Sequence, residues 1–278
     1  MFTLIFDTYS GLCNQMYDIQ AAVNFCTAYN IPFSFRYSSL REVNNLRKWF
    51  DVPFTHIFDE TVLSTFKLYK PFHSLRCCSE NTHNYGNEIR AIEWLDVNKA
   101  ILPQLERIQK PYIVLRQFWS IPRYINEKYN IYTIIKPCDR LVRIFNNISQ
   151  RLLPEKYNFI HYRYEDDFNA HFKITTPLKL CDILKHVKFR DKTLPVYIAA
   201  NRVTELPLSL LSTPINQIKN IIYKSASLTE GLNFEEAAFI DFMIGKGAIE
   251  VYGHHNSSFS VLLNSSHVTN NYYDVEMM

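Results

Sequence analysis

His161, Arg163 and Glu165 alternate with tyrosines in the stretch NFIHYRYEDD, residues 158 to 167, and Asp166 and Asp167 follow at once. On an extended chain, side chains two residues apart share a face. An imidazole, a fixed guanidinium and a carboxylate are then presented together to one ligand. A guanidinium grips a diphosphate with a bidentate fork, and an imidazole or carboxylate beside it can move a proton. The competing reading is a strand end whose charges are merely solvated, because a single His-x-Arg-x-Glu is a short pattern.

Two further polar clusters have the make-up of ligand turns. SGLCNQ at 10 to 15 connects a first apolar run to a helical segment, and its Gly11, Asn14 and Gln15 are candidate contacts. GHHNSSFS at 253 to 260 precedes a final apolar helix. There Ser257, Ser258 and Ser260 can share an anion's oxygens with free helix amides, or simply cap the helix. Five of the 6 glycines (Gly11, Gly231, Gly245, Gly247, Gly253) lie in or near these two clusters or the helix between them. In a glycine-poor chain that concentration argues against chance. His254 and His255, with Glu165, Asp166 and Asp167, would be ligands for a metal-dependent hydrolase. Adjacent histidines on a strand point to opposite sides, which makes joint ligation awkward.

The elements that must hold these clusters follow from periodicity. Thr3 to Phe6 reads as a strand, apolar residues at 16, 19, 23 and 26 as a helix with a core-facing stripe, and Ile31 to Phe35 as a second strand, together a βαβ unit. Leu40 to Phe50 is expected to be helical, Cys77 to Gly86 a loop, and Tyr112 to Leu115 a strand. Helices follow over Ile121 to Tyr129 and Cys138 to Leu152. Leu153 and Pro154 mark the expected boundary between domains 1–154 and 155–278. Strands are expected at Phe159 to Tyr164, Val196 to Ala200, Ile218 to Tyr223 and Ile249 to Tyr252. Helices are expected at Pro177 to Val187 and Phe234 to Ile244, the second capped by Asn233 and stopped by Gly245.

Composition sets the outer limits. At 278 residues with 47% hydrophobic and 21% charged residues the chain is an ordinary globular protein with room for two domains. A net charge of +3 demands neither nucleic acid nor an anionic membrane as partner. No stretch has the length of a membrane span or the pattern of a signal peptide, so a cytoplasmic protein is expected. The six cysteines lack zinc spacing and read as reduced thiols. The Asn-x-Ser sites at Asn147, Asn256 and Asn264 would matter only in a secretory compartment.

FIHYRYEDDF resembles the strand motif of the protein O-fucosyltransferase-like superfamily. SGLCNQ is similar to that family's N-terminal GGLNNQ turn, and FIDFMIGKGAIEVYGHHNSSFS to its C-terminal pattern of helix, short strand and phosphate turn. The three occur in family order across almost the whole chain. The resemblance implies an α/β GT-B fold, two Rossmann-like domains facing a central cleft, the N-terminal one on the acceptor side and the C-terminal one on the nucleotide-sugar donor side. It implies an inverting transfer with no metal or other cofactor. It places Arg163 on the donor diphosphate, Ser257, Ser258 and Phe259 at the phosphates, Asp241 near the nucleoside, and Gly11, Asn14 and Gln15 on the N-terminal side of the cleft. Ser10 and Cys13 depart from the family turn, where a Gly and an Asn are usual.

The compact size and the Asn-, Ile-, Lys- and Tyr-rich make-up further resemble glycosyltransferases of large algal DNA viruses that build capsid glycans. Likeness to their xylosyltransferases implies UDP-xylose as donor and fucose of a viral capsid N-glycan as acceptor. GDP-fucose is the alternative donor, and a catalytically silent nucleotide- or glycan-binding protein the alternative class. For the base that takes the acceptor proton, Glu165, Asp166, Asp7, Asp18 and His161 all stay open, because an ion pair with Arg163 would weaken Glu165 as a base.

Overall fold

The structure is a computed structural model and describes residues 2–42, 45–84, 97–116, 129–163, 166–171, 173–174, 179–200, 221–224, 226–267 and 271–273. The chain divides into two compact units, Met1–Arg140 and Leu141–Met278. The division falls at the start of the helix Asp139–Leu152, before the expected boundary at Leu153 and Pro154.

Unit 1 opens with β1 (Thr3–Thr8), α1 (Leu12–Ala28), β2 (Phe33–Glu42) and β3 (Asn45–Pro53). After β4 (Thr82–Asn84) and α2 (Val97–Arg107), β5 (Tyr112–Arg116) completes a sheet of order β3-β2-β1-β5-β4. All its pairings are parallel except β2 with β3. β1 lies in the middle and is buried from Leu4 to Thr8, as a strand covered on both faces must be. The expected βαβ start is what forms, and Met16, Ile19, Val23 and Cys26 are core. Part of the chain's high aromatic content becomes a run of ring contacts: Phe6 to Phe35 at 5.7 Å, Phe35 to Phe54 at 4.8 Å and Phe54 to Phe58 at 5.1 Å.

The described residues of Leu40 to Phe50 are not helical. They belong to the antiparallel strands β2 and β3, in which Arg41 pairs with Trp49 and Ser39 with Asp51. Cross-strand pairs of this kind stabilise a sheet, and they outweigh a weak local helix preference. Within Cys77 to Gly86, Thr82–Asn84 also adds an edge strand beside β5. The expected helix at Ile121 to Tyr129 lies outside the described residues, apart from its last residue. After α3 (Ile131–Ile134), α4 (Asp139–Leu152) leads into unit 2.

Unit 2 contains β6 (Asn158–His161), α5 (Asp166–His171), α6 (Leu180–His186), β7 (Val196–Ala199), β8 (Ile221–Ile222), α7 (Phe234–Gly247), β9 (Val251–His254), α8 (Ser258–Ser265) and β10 (Asn271–Tyr273). Its sheet has the order β10-β9-β6-β7-β8, with every pairing parallel. Alternation splits the strands cleanly. Ile160 and Ile198 pack with Leu180, Ile183 and Leu184 of α6, whereas Phe159 stacks on Tyr197 at 5.7 Å on the opposite face, and Tyr197 meets Asp241 of α7.

Three expectations change here. β6 ends at His161, with Tyr162 and Arg163 beyond it, and Tyr164 lies outside the described residues. There the Tyr273 hydroxyl, and not a strand neighbour, takes the Arg163 backbone N–H. Gly245 lies inside α7 instead of stopping it. A Cβ there would lie 2.4 Å from a methyl of Leu263 and 3.2 Å from Phe159, so glycine serves close packing. The strand β10, absent from the expected elements, extends the sheet beyond β9. Among the described residues no helix is long and apolar enough to cross a membrane.

Candidate functional site

Because the unit 2 strands are parallel, their carboxyl ends share one edge, where open α/β sheets hold ligands. His161 is the last residue of β6. Its Nδ1 lies 2.8 Å from Ser260 Oγ and its ring 4.2 Å from that of Phe259. Gly253 makes this possible: a Cβ on it would sit 2.3 Å from Ser260 Oγ and 2.5 Å from Ser260 Cβ. Only a residue without a side chain lets β9 pass this close to α8. The Ser257 N–H donates to the His254 carbonyl at 3.0 Å and closes the turn. Ser257 holds the N-cap position of α8 yet makes no side-chain capping bond. Ser257 is buried and Ser258 half-buried beside it.

Arg163 stands just beyond β6. Its backbone N–H donates to the Tyr273 hydroxyl at 3.1 Å, and that hydroxyl donates to the His161 carbonyl at 2.5 Å. Its guanidinium lies 4.5 Å from the centre of the Phe168 ring, which meets His254 edge-on at 4.9 Å. Thus His161, Arg163, Ser257, Ser258 and Phe259 gather at one edge, together with Gly253, His254, Phe168 and Tyr273. Phe168 and Tyr273 escape the sequence reading. The lone phenylalanine inside EDDFNAH, and the aromatic pair of NNYYD after the last helix, are the signals that mark them.

Asp241 is set deeper. One carboxylate oxygen accepts from Tyr197 Oη at 2.7 Å, and the other from the buried ammonium of Lys224. Burial pushes the Asp241 carboxyl up, against the pull of Lys224 and Tyr197. Tyr197 pairs with Phe159 and Ile222, two residues in from the His161 level, so Asp241 braces the sheet below its edge. His254 and His255 stack at 4.9 Å instead of diverging, because β9 ends between them. Among the described residues no three His, Cys, Asp or Glu side chains converge as metal ligands. Glu165 lies outside the described residues; Asp166 and Asp167 open α5.

In unit 1 the turn between β1 and α1 is braced from beneath. Gln15, fully buried, donates to the Ser10 carbonyl at 2.8 Å and to the Ser39 carbonyl at 2.6 Å, and accepts from Thr8 Oγ1 at 2.9 Å. Asp18 accepts the Tyr9 N–H at 3.0 Å. Asn14 donates to Ser10 Oγ at 3.1 Å. Asp7 forms a bidentate pair with Arg36, at 3.0 and 2.5 Å. Arg36 is free to do so because the β1–β2 register skips it, pairing Phe6 with Phe35 and Asp7 with Tyr37; bulges re-aim side chains in this way. Asp7 and Asp18 thus lie within the hydrogen-bonded frame of this turn, and His161 faces Ser260.

Gly11 has an ordinary backbone (φ −58°), and Ser10 carries the left-handed one, φ 80°. Glycine, as in the GGLNNQ turn that SGLCNQ resembles, is the residue such a φ favours. Left-handed backbone costs a non-glycine residue about 1–2 kcal/mol, and glycine's extra flexibility returns part of it. Ser10→Gly is therefore expected to stabilise the protein by about 0.5–1 kcal/mol in urea denaturation.

His161 gives the unit 2 edge a pH signature. Burial, then the nearby charges of Arg163 and Lys224, hold its imidazole well below its ordinary value of 6.5. The folded protein keeps it neutral while the unfolded chain protonates it. Its stabilising share is complete above about pH 6.5 and is lost as pH falls below that, by about 1.4 kcal/mol per pH unit. Denaturation between pH 8 and pH 5 is expected to show this slope, and His161→Gln to remove that part of it.

No family model and no curated protein matches the chain. Among solved structures it is similar to POFUT1 in complex with GDP, with TM-score 0.65, 10% identity and 99% of each chain covered. POFUT1 in complex with GDP-fucose gives TM-score 0.65 and 10% identity over 99% of this chain and 98% of that one. NodZ alpha-1,6-fucosyltransferase soaked with GDP-fucose gives 0.55 and 12% over 96% and 93%; another NodZ structure, from Bradyrhizobium, gives 0.56 and 12% over 96% and 94%. At such identities the likeness is one of fold: the chain has the α/β GT-B fold of these fucosyltransferases, with two Rossmann-like units.

Proposed function

We propose that this protein is an inverting glycosyltransferase that moves a sugar from a nucleotide sugar to a glycan acceptor, with GDP-fucose as donor and without a metal ion. The observation that carries this is the unit 2 edge. There a guanidinium, a buried neutral imidazole and an uncapped helix start with Ser257 and Ser258 lie together at the carboxyl ends of parallel strands. The whole-chain likeness to POFUT1 and NodZ complexes supports GDP-fucose over the UDP-xylose expected from the sequence.

In this reading Arg163, the Ser258 amide and the Ser257 and Ser258 hydroxyls hold the diphosphate and balance the negative charge that grows as it leaves. Neutral His161, its Nδ1 set by Ser260, adds a hydrogen bond instead of a second charge. Phe259 lines the phosphate turn, and Asp241 keeps the wall behind it in place. The acceptor oxygen forms its bond to the anomeric carbon as the bond to the diphosphate oxygen breaks, and the hydroxyl proton passes to a base.

A thermal-shift panel of GDP, UDP, GDP-fucose and UDP-xylose tests the donor. GDP and GDP-fucose are expected to raise the melting temperature, since ligand that binds only the folded state stabilises it by about 2.7 kcal/mol at a hundredfold excess over Kd. Stabilisation by UDP-xylose alone overturns the donor choice, and stabilisation by none of the four overturns the reading. Transfer that survives EDTA is expected; activity lost with chelator and restored by one metal overturns metal independence.

A further inference from the structure

The carboxyl edge of unit 1 carries a layered cluster that the donor site does not use. β1 stops pairing with β2 at Thr8 and Ser38, while β2 continues to Glu42 and, with β3, overhangs the β1–α1 turn. On this overhang Trp49 lies 5.0 Å from the Tyr9 ring. Arg116, from the end of β5, crosses above Tyr9 with its guanidinium 4.5 Å from the ring centre. It reaches Asp51 at 2.9 and 3.3 Å and Ser39 Oγ at 3.3 Å, and Ser39 donates to Asp51 at 2.9 Å. The side chains of Arg116 and Asp51 are 34% and 36% exposed.

Stability does not account for this arrangement, because a half-exposed ion pair contributes little to it. The buried Thr8, Gln15 and Asp18 already hold the turn. What the cluster provides is preorganisation: a carboxylate and a guanidinium, fixed side by side against two half-exposed aromatic rings. Arg36, Lys48 and Arg116 are each matched by a carboxylate, Asp7, Glu42 and Asp51, and Arg41 lies over the Trp49 ring at 5.1 Å from its centre. The edge thus offers alternating donors and acceptors. That chemistry suits neighbouring hydroxyls of a neutral sugar, which can donate to one planar group and accept from the next, with the ring edges covering the sugar's C–H surface.

We propose that Tyr9, Trp49, Asp51 and Arg116 form a saccharide subsite in which the Asp51–Arg116 pair takes a pair of hydroxyls of a neutral acceptor glycan. That the bound glycan is an acceptor rests on the glycosyltransferase reading; the binding itself does not. The full chain, with GDP present, is tested on an array of neutral and of acidic oligosaccharides alongside Asp51→Asn and Trp49→Ala, with Trp49→Phe as the conservative control. Wild type is expected to retain neutral glycans. Asp51→Asn and Trp49→Ala are expected to weaken retention at least tenfold, Trp49→Phe less, while the GDP thermal shift of all three stays within twofold of wild type. Wild type that binds no neutral glycan overturns the proposal, and so do variants that bind like wild type. If GDP and GDP-fucose fail to stabilise the protein while glycan retention follows this order, the donor reading fails and the subsite stands.

Discussion

Arg163→Ala is expected to lower sugar transfer about a thousandfold, some 4 kcal/mol in the transition state, while costing the fold about 1 kcal/mol or less. The two effects separate because the residue's two halves do different work. Its backbone N–H is held by the Tyr273 hydroxyl, a bond that alanine keeps. Its side chain packs on the Phe168 ring, and losing a cation–π contact there costs about 0.5–1 kcal/mol. A departing diphosphate, by contrast, builds up charge that a fixed guanidinium meets without reorganising. Arg163→Lys is expected to restore only part of the rate, since an ammonium lacks the planar fork. The measurements are single-turnover transfer from GDP-fucose and the melting temperature of each variant. Turnover of Arg163→Ala within tenfold of wild type removes Arg163 from the leaving-group role.

The second large effect is structural and belongs to Gly253. Adding a methyl group at this position places it 2.3 Å from Ser260 Oγ and 2.5 Å from Ser260 Cβ, and the obstacle is the first atoms of a side chain on a helix, which cannot swing aside. Overpacking of this kind costs about 1–3 kcal/mol, and contact with Cβ itself puts Gly253→Ala near the upper end. Unit 2 would melt roughly 6–12 °C lower. Ser260 also sets His161, so nucleotide binding should weaken in the same variant. A double-mutant cycle isolates the cause. In a Ser260→Gly background the obstacle is gone, and Gly253→Ala is expected to cost under about 1 kcal/mol. Equal costs in both backgrounds mean that the close approach is not what Gly253 provides.

Most of what positions the site could be read from residue pattern alone, and the failures have specific causes. The β1–α1–β2 start is legible because a buried central strand and a buried helix each leave a plain apolar signature. The unit 2 turn is legible because small and polar residues cluster where a strand meets a helix. The β2–β3 hairpin is hidden: Leu40, Val43, Leu46 and Phe50 are spaced closely enough to suggest a helix, and the pairs that decide the matter, Arg41 with Trp49 and Ser39 with Asp51, join residues 8 and 12 apart. Long-range partners hide the rest. Nothing near Arg36 in the sequence announces that it turns to Asp7, and nothing near Asp241 names Lys224 and Tyr197. A carboxylate that looks catalytic in a string of letters is, in three dimensions, as readily a strut.

Tyr273 gives the molecule a particular order of completion. The residue after β6 that is proposed to hold the diphosphate is anchored by a hydroxyl made more than a hundred residues later, on a strand of three residues at the sheet's edge. A ribosome releases His161 and Arg163 long before it releases their anchor. The edge is assembled only when the last strand docks, and in the finished protein an edge strand this short is among the first pieces to open. Docking of this strand, through the buried Tyr273, is therefore expected to be the last step that fixes the Arg163 backbone.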